Sequence, residues 1–236
     1  MSEPMRIQRA LARAGVLSRR KAEELVANGR VTVNGAPAKV GQSVDPDRDV
    51  IMVDGARIDA PAPLEWFLLH KPAGVITSRG DPEGRTTVFD LVPKRPGLTY
   101  VGRLDYLTEG ALLLTTDGAA AHRLTHPSRK LERTYVASVL GDGEAAIEQA
   151  RYGVELEDGV VTPKRMRGQK VGRGRWELTI TIAEGKNREI RRLCEALGLE
   201  VDRLVRVKFG PVELGDLGVG KVRSLTRAEI KALEKM

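Results

Sequence analysis

The stretch "ALLLTT", Ala111–Thr116, has no charged residue in a chain of 236 residues of which 30% are charged. A short apolar run followed by the turn signal "TDG" is typical of a strand buried in a sheet. The preceding segment "VGRLDYLTEG" places Asp105 and Arg103 directly in front of that strand. The fold does not require a carboxylate there, so Asp105 is a candidate for chemistry. On the residues alone, a loop aspartate that pairs with Arg103 or caps a turn remains open.

Other segments after residue 61 predict an irregular order of strands and helices. "RTYVASVLG" and "WELTITIAEG" alternate as strands do, and "KNREIRRLCEALG" has a helical apolar stripe that ends at Gly198. A capping box from Thr226 to Glu229 predicts a final helix. Because strands and helices do not alternate regularly, we expect an α+β fold with a mixed or antiparallel sheet. In "WELTITIAEG" the inward side chains should be Trp176, Leu178, Ile180 and Ile182, and the outward ones Glu177, Thr179 and Thr181.

Residues 1–60 predict a separate small module. A first helix ends at Gly15, a second runs from Arg19 to Ala27 behind Ser18, and Asn34-Gly35 predicts a type I′ hairpin turn. Two prolines in "DAPAPLEW" indicate a short, stiff linker. We therefore expect a small module with two helices and a short sheet over residues 1–60, and a larger domain over residues 61–236.

The charge balance indicates a polyanionic partner. The chain has 39 Lys and Arg against 32 Asp and Glu, a net charge of +7. Such an excess favours nucleic acid, although a merely solvated basic face is the alternative. The N-terminal cations that should face phosphate are Arg6, Arg9, Arg13, Arg19, Arg20, Lys21 and Arg30.

Several other classes of protein are disfavoured. No apolar run approaches the roughly 20 residues of a membrane span, and no signal peptide is evident, so we expect a cytoplasmic protein. The single Cys194 excludes an internal disulfide. His122 and His126 have a spacing that suits zinc, but no third ligand accompanies them. Without a glycine-rich nucleotide-binding motif or a nucleophile elbow, we expect neither metal nor cofactor.

Two further segments carry polar side chains next to apolar ones. Tyr135 begins its strand directly after a basic run. Arg191 lies about 100° around its helix from Ile190 and one turn above Asn187, at the edge of the apolar stripe. We therefore expect Arg191 to reach a half-buried carboxylate, while the neighbouring arginines point away from the core.

Three of these stretches, "GRLDYLTEGALLLTTDG", "RTYVA" and "EGKNREIRRLCEALG", resemble in this order the signature motifs of the ribosomal RNA pseudouridine synthases. "SRRKAEELVANGRVTVNG" resembles the small RNA-binding module named for a small-subunit ribosomal protein, over about residues 5–55. Together they are similar to the branch that includes the small-subunit enzyme A and the large-subunit enzymes B, E and F. "HKPAGVITSRGDPEGRTTVFDLVP" is most similar to the B group.

The resemblance implies isomerisation of one uridine to pseudouridine in ribosomal RNA, with 23S favoured over 16S, as free RNA or in an assembling subunit. It implies that Asp105 is the nucleophile and that Arg191 pairs with the aspartate. It also implies that Tyr135 stacks on the base, and a second role, in which its hydroxyl helps to remove the C5 proton, stays open. Arg103 would fill the gap left by the extruded base. We expect a monomer without membrane contact; the alternative is a non-catalytic RNA-binding or ribosome-assembly protein. Further RNA contacts are expected from Lys71, Lys186, Asn187, Arg188 and Arg192.

Overall fold

The computed structural model describes residues 4–15, 19–58 and 63–236. Contacts divide the chain into two compact units. The predicted domain boundary near residue 60 falls among residues 59–62, outside the described residues, so it stays a prediction. The first unit comprises Met1–Glu65, Lys94–Thr99 and Thr115–Gly118, and the second comprises Trp66–Pro93, Tyr100–Leu114 and Ala119–Met236.

The N-terminal part of the first unit packs two short helices with small sheets. Strands β3, β2, β5 and β6 form one sheet in that order, and β1 pairs with β4. Both Asn34 and Gly35 have positive φ, 52° and 83°, which confirms the predicted hairpin turn. The predicted cap Ser18 lies outside the described residues. The elements are β1 (Met5–Arg6), α1 (Ile7–Arg13), α2 (Arg19–Ala27), β2 (Val31–Val33), β3 (Ala36–Pro37), β4 (Ser43–Val44), β5 (Ile51–Val53) and β6 (Ala56–Arg57).

From residue 66 onward, strands predominate and helices are short. The strands are β7 (Trp66–Lys71), β8 (Thr99–Val101), β9 (Thr108–Thr115), β10 (Arg133–Leu140), β11 (Val154–Leu156), β12 (Gly159–Val161), β13 (Arg165–Gly172), β14 (Arg175–Ile182), β15 (Glu200–Phe209), β16 (Val212–Glu213) and β17 (Val222–Ser224). The helices are α3 (Gly118–Thr125), α4 (Gly143–Ala150), α5 (Glu189–Ala196) and α6 (Arg227–Glu234), with 3₁₀ turns at Val88–Asp90 and Pro127–Arg129.

One large mixed sheet organises this part of the chain. Within the described residues its order is β13-β14-β10-β15-β9-β7-β17, with β16 added to β15 and β8 added to β9. Strand β9 runs parallel to β15, whereas β10 is antiparallel to both of its neighbours. Strand β9 contains the uncharged run, and Ala111–Leu114 are fully buried. The predicted α+β fold with a mixed sheet is confirmed.

Two local predictions are wrong. Thr181 was expected to face outward, but it is buried, because its hydroxyl lies 2.9 Å from that of Thr134 on the neighbouring strand and is thereby satisfied. The helix predicted from Lys186 begins at Glu189, because Arg188 is left-handed with φ 47° and cannot continue a helix toward its N-terminus.

The capping box of α6 is confirmed: the side chains of Thr226 and Glu229 each bond the other's backbone N–H.

Candidate active site

A pocket of about 430 Å³ in the second unit brings together the three predicted catalytic residues. Asp105 comes from the loop before β9, Tyr135 from β10 and Arg191 from α5. Among the predicted RNA contacts, those that also line this pocket are Arg103, Lys186, Asn187 and Arg188. Segments that are far apart in the chain therefore converge on one cavity. Their individual roles stay predictions.

Sheet register explains how the strands meet at the pocket. Across three neighbouring strands, Gly110 of β9 stands opposite Arg206 of β15, which stands opposite Tyr135 of β10. Residues directly opposite each other in a sheet place their side chains on the same face. Tyr135 and Arg206 therefore share the face that lines the pocket, and Gly110 adds no side chain to it. The side chain of Tyr135 is buried, with 8% of its residue surface exposed.

The loop of Asp105 is held by a buried lysine. Lys71, at the end of β7, has no exposed surface, and its Nζ donates to the carbonyl oxygens of Pro72 at 2.9 Å, Tyr106 at 3.2 Å and Thr108 at 2.9 Å. An ammonium group has three N–H donors, so all of them are used. This corrects the predicted RNA contact of Lys71, because a buried lysine with every donor engaged positions the loop instead of meeting phosphate.

The pKa of Lys71 responds to the charged side chains near the loop of Asp105. Burial lowers the pKa of Lys71 to about 8, while the carboxylates of Asp105 and Glu109 oppose that shift and the guanidinium of Arg206 adds to it. Asp105 is half-buried. Its carboxylate is therefore within electrostatic range of a buried cation, although the two side chains form no direct ion pair.

The side chain of Arg191 bonds a backbone carbonyl in the loop of Asp105. Its Nη2 donates to the carbonyl of Leu107 at 3.2 Å and its Nη1 to that of Val201 at 3.5 Å. Among the residues that the structure describes, none places a cationic nitrogen within 4.0 Å of the Asp105 carboxylate. Burial, followed by the charge of Arg188, lowers the pKa of Arg191, and Asp105 opposes this. The expected direct pair is thus replaced by a contact with the loop.

Arg206 is a pocket residue that sequence reasoning missed. With 1% of its surface exposed, Arg206 donates from Nε to the carbonyl of Ala111 at 2.8 Å and from Nη1 to that of Arg103 at 3.4 Å. A signal was present, because "DRLVRVKF" alternates as a strand and places Arg206 in phase with the inward Leu204.

Arg133 and Glu189 were missed as well. Arg133 is half-buried and donates from Nη1 to the carbonyl of Glu184 at 2.7 Å. Glu189 is buried, and its Oε2 accepts the backbone N–H of Lys186 at 3.1 Å. Burial is the main cause that raises the pKa of Glu189. Neither residue belongs to a sequence pattern that separates it from the many charged residues around it.

Other predicted RNA contacts of the second unit have protein partners. Arg192 forms a bidentate pair with Asp158, at 2.9 and 2.7 Å. Lys186 bonds the carbonyl of Asp158 at 3.1 Å and pairs with Glu184 at 3.1 Å. Asn187 and Arg188 are exposed at the rim, and Asn187 precedes α5, so the expected stacking of Arg191 on Asn187 within a helix is wrong.

The N-terminal cations belong to the first unit and lie at its surface. Arg30 forms a bidentate pair with Asp54 at 2.7 and 2.5 Å, and Lys21 pairs with Glu24 at 3.0 Å. Arg20 is exposed. The side chain of Arg19 lies outside the described residues. The remaining three are Arg6, which donates to the carbonyl of Gly41, Arg9, which pairs with Asp117 at 3.5 Å, and Arg13, which is partly exposed.

The described residues contain no cluster of three or more His, Cys, Asp or Glu side chains able to hold a metal ion. The rings of His122 and His126 lie 6.2 Å apart. None of the helices in the described ranges is both long enough and apolar enough to cross a membrane.

Comparisons with known proteins find relatives that align with nearly the whole chain. An uncharacterized RNA pseudouridine synthase of Mycobacterium leprae is 40% identical over 237 residues, covering 98% of this chain and 93% of that protein. Ribosomal large subunit pseudouridine synthase B of Pseudomonas aeruginosa is 45% identical over 240 residues and 98% of this chain. The protein of the same name from Haemophilus influenzae is 42% identical over 222 residues and 90% of this chain. This chain spans 62% of the length of each of the last two relatives.

One solved structure and two family models match this chain. A structure described as a crystal structure of pseudouridylate synthase superposes with a TM-score of 0.64 at 28% identity, covering 97% of this chain and 99% of that one. Residues 5–50 match the S4 domain, and residues 65–196, which include Asp105, Tyr135 and Arg191, match the family described as RNA pseudouridylate synthase. The resemblance noted in the sequence is confirmed, and this chain belongs to the RNA pseudouridylate synthase family.

Proposed function

We propose that this enzyme converts one uridine of large-subunit ribosomal RNA to pseudouridine, with Asp105 as the nucleophile. The observation that carries the proposal is the convergence of Asp105, Tyr135 and Arg191 on one pocket. The substrate is inferred from the two relatives named large subunit pseudouridine synthase B, at 45% and 42% identity.

The chemistry needs one nucleophile and no external group. The carboxylate of Asp105 bonds to C1′ as the N1–C1′ bond breaks, and the released uracil turns. C5 then displaces the carboxylate from C1′, C5 loses its proton, N1 gains one, and Asp105 returns as a free carboxylate. Carboxylates form covalent intermediates in related glycosidic chemistry and need no base to activate them. The cationic groups of Lys71 and Arg191 surround Asp105 with a positive potential that favours an anion there.

The other pocket residues bind and expose the base. Tyr135 presents a largely buried ring on the pocket face, suited to stacking on a uracil taken out of its helix. Arg103 is exposed at the rim, where its side chain is available to the RNA. The S4 domain supplies RNA contacts outside the pocket through its surface cations. The non-catalytic alternative does not explain why Asp105, Tyr135 and Arg191 line one pocket.

A strain that lacks the gene provides the test. Pseudouridines are mapped in both ribosomal RNAs by carbodiimide labelling and primer extension, with and without plasmids that encode the wild type, Asp105→Asn, and the matched control Asp202→Asn at an exposed site. We expect one large-subunit pseudouridine to disappear and to return with the wild type and with Asp202→Asn. A site lost only from small-subunit RNA would overturn the substrate, and restoration by Asp105→Asn would overturn the nucleophile.

A further inference from the structure

Two guanidinium groups line the pocket, and no carboxylate of the described residues pairs with either of them. Arg206 is 1% exposed, and its Nη2 is buried with no hydrogen-bond acceptor among the described residues. Arg133 uses Nη1 for the carbonyl of Glu184. In the part of the chain that the structure describes, neither arginine has a carboxylate within 4.0 Å. A buried cation without a counter-ion is costly, so such a pair needs an explanation.

The two arginines lie on one face of the sheet. Arg133 stands opposite Phe209 and Tyr135 stands opposite Arg206, so all four side chains point to the same side. The guanidinium carbons of Arg206 and Arg133 lie 5.1 and 5.4 Å from the centroid of the Phe209 ring. An aromatic ring attracts cations but carries no net charge, so Phe209 reduces the cost of burial without neutralising it.

The neighbouring charges leave this region positive. Burial lowers the pKa of Arg133, the charge of Arg206 lowers it further, and Tyr135 and Glu189 oppose the shift. Glu189 is the nearby acid, but its Oε2 accepts the N–H of Lys186 and burial favours its neutral form. Buried Lys71 lies within electrostatic range of Arg206 as well. An anion that entered here would meet at least two cations and an unused donor.

We propose that Arg133 and Arg206 form a subsite for one phosphodiester group of the RNA, the one on the 5′ or the 3′ side of the target uridine. Nη2 of Arg206 and the remaining N–H donors of Arg133 bind its two non-bridging oxygens. Guanidinium groups match the geometry of phosphate oxygens, and Gly185 leaves room, because a Cβ there would lie 3.0 Å from Nη1 of Arg133. This inference rests on the proposed function, since the phosphate belongs to RNA held in the same pocket.

Wild-type enzyme with altered RNA tests this without any mutation. The probe is a synthetic RNA hairpin that carries the mapped uridine, with a single uncharged methylphosphonate linkage on its 5′ side, on its 3′ side, or several nucleotides away. One of the two adjacent replacements should lower kcat/KM about tenfold to a hundredfold, as expected for hydrogen bonds to a charged group. The distant replacement should change it less than about twofold. If neither adjacent replacement lowers kcat/KM, the subsite is not a phosphate site.

Variants identify the partner of that phosphate. Arg133→Gln should lower kcat/KM by a similar factor on unmodified RNA and cause no further loss on the RNA with the sensitive neutral linkage. Arg173→Gln, at an exposed turn, is the matched control. Arg206→Lys keeps the positive charge but loses the paired N–H donors of the guanidinium group. If its melting temperature matches that of the wild type, a lower kcat/KM reflects lost RNA binding and not misfolding. If each variant lowers kcat/KM by the same factor on the unmodified RNA and on the RNA with the neutral linkage, the two arginines bind another group of the RNA, such as a uracil carbonyl, and not this phosphate. The proposed function fails independently, by lack of turnover on unmodified RNA.

Discussion

The N-terminal surface and the pocket both contain many cations, but they use them differently. On the N-terminal unit, Arg30 and Lys21 are exposed and are paired with the carboxylates of Asp54 and Glu24. In the second unit, Lys71 holds the loop of Asp105 and Arg206 lines the pocket. Both are fully buried and bond to backbone carbonyls, and among the described residues neither is paired with a carboxylate. Exposed charges are screened by salt, whereas buried ones act at nearly full strength. Under the proposed function, the exposed cations are suited to contacts along the RNA, and the buried ones to the site at the target nucleotide.

The largest effect should come from the backbone contact beneath the pocket. In Gly110→Ala, the new Cβ would lie 2.2 Å from the carbonyl oxygen of Arg206 and 2.6 Å from its nitrogen, so β9 and β15 must separate. We expect a loss of about 3 kcal/mol in the free energy of unfolding, measured by urea denaturation. Gly118→Ala, which meets nothing within 4 Å at the start of α3, should stay within about 0.5 kcal/mol. Equal stability of the two variants would show that the pocket is not tightly packed there.

The next effect is a pH dependence caused by Lys71. Its folded pKa of about 8 lies below the ordinary lysine value of 10.5, so the unfolded chain binds more protons between these pH values. Stability should therefore rise with pH in this window, because the cost of burying the charge disappears. Relative to Lys71→Met, the wild type should gain about 2 kcal/mol between pH 7.5 and 9.5, as measured by chemical denaturation. A difference that is flat with pH would place Lys71 in a solvated setting.

The smallest effect should come from the N-terminal surface. Removing two of its cations with Arg13→Gln and Arg20→Gln should leave stability within about 0.5 kcal/mol. RNA binding should weaken, and the slope of log K against log salt should become shallower by roughly 0.7 for each lost phosphate contact. Arg151→Gln, which removes a surface pair with Glu148, is the control. Unchanged salt slopes in the double variant would show that these two residues do not touch phosphate.

Local patterns predicted much of the fold. The uncharged run of β9, the Asn34-Gly35 turn and the capping box of α6 depend on residues close in sequence, and the structure contains all three. Alternation predicted strand β14 but misplaced Thr181, because its burial depends on a hydroxyl partner from another strand. A periodic pattern reports which residues share a face and not what covers that face.

The site was predicted less completely, for a physical reason. Asp105, Tyr135 and Arg191 lie in recognisable motifs, and they share the pocket. Lys71 and Arg206 owe their positions to distant backbone carbonyls, such as those of Thr108 and Ala111. Alternation with Leu204 indicates that Arg206 faces inward, but nothing near either residue in sequence indicates which carbonyls accept its hydrogen bonds. The sequence therefore predicts an RNA contact for Lys71 and no site for Arg206.

The central claim is that the oxygen of Asp105 attacks the nucleotide in this pocket. The most direct measurement compares purified wild type with Asp105→Asn on the same RNA, following both turnover and the dissociation constant. Asparagine keeps the size of the side chain and removes its charge. The account predicts complete loss of pseudouridine formation with a dissociation constant within about threefold of the wild type, since RNA affinity comes mainly from phosphate contacts elsewhere. Pseudouridine formation by Asp105→Asn at the wild-type rate would contradict this account.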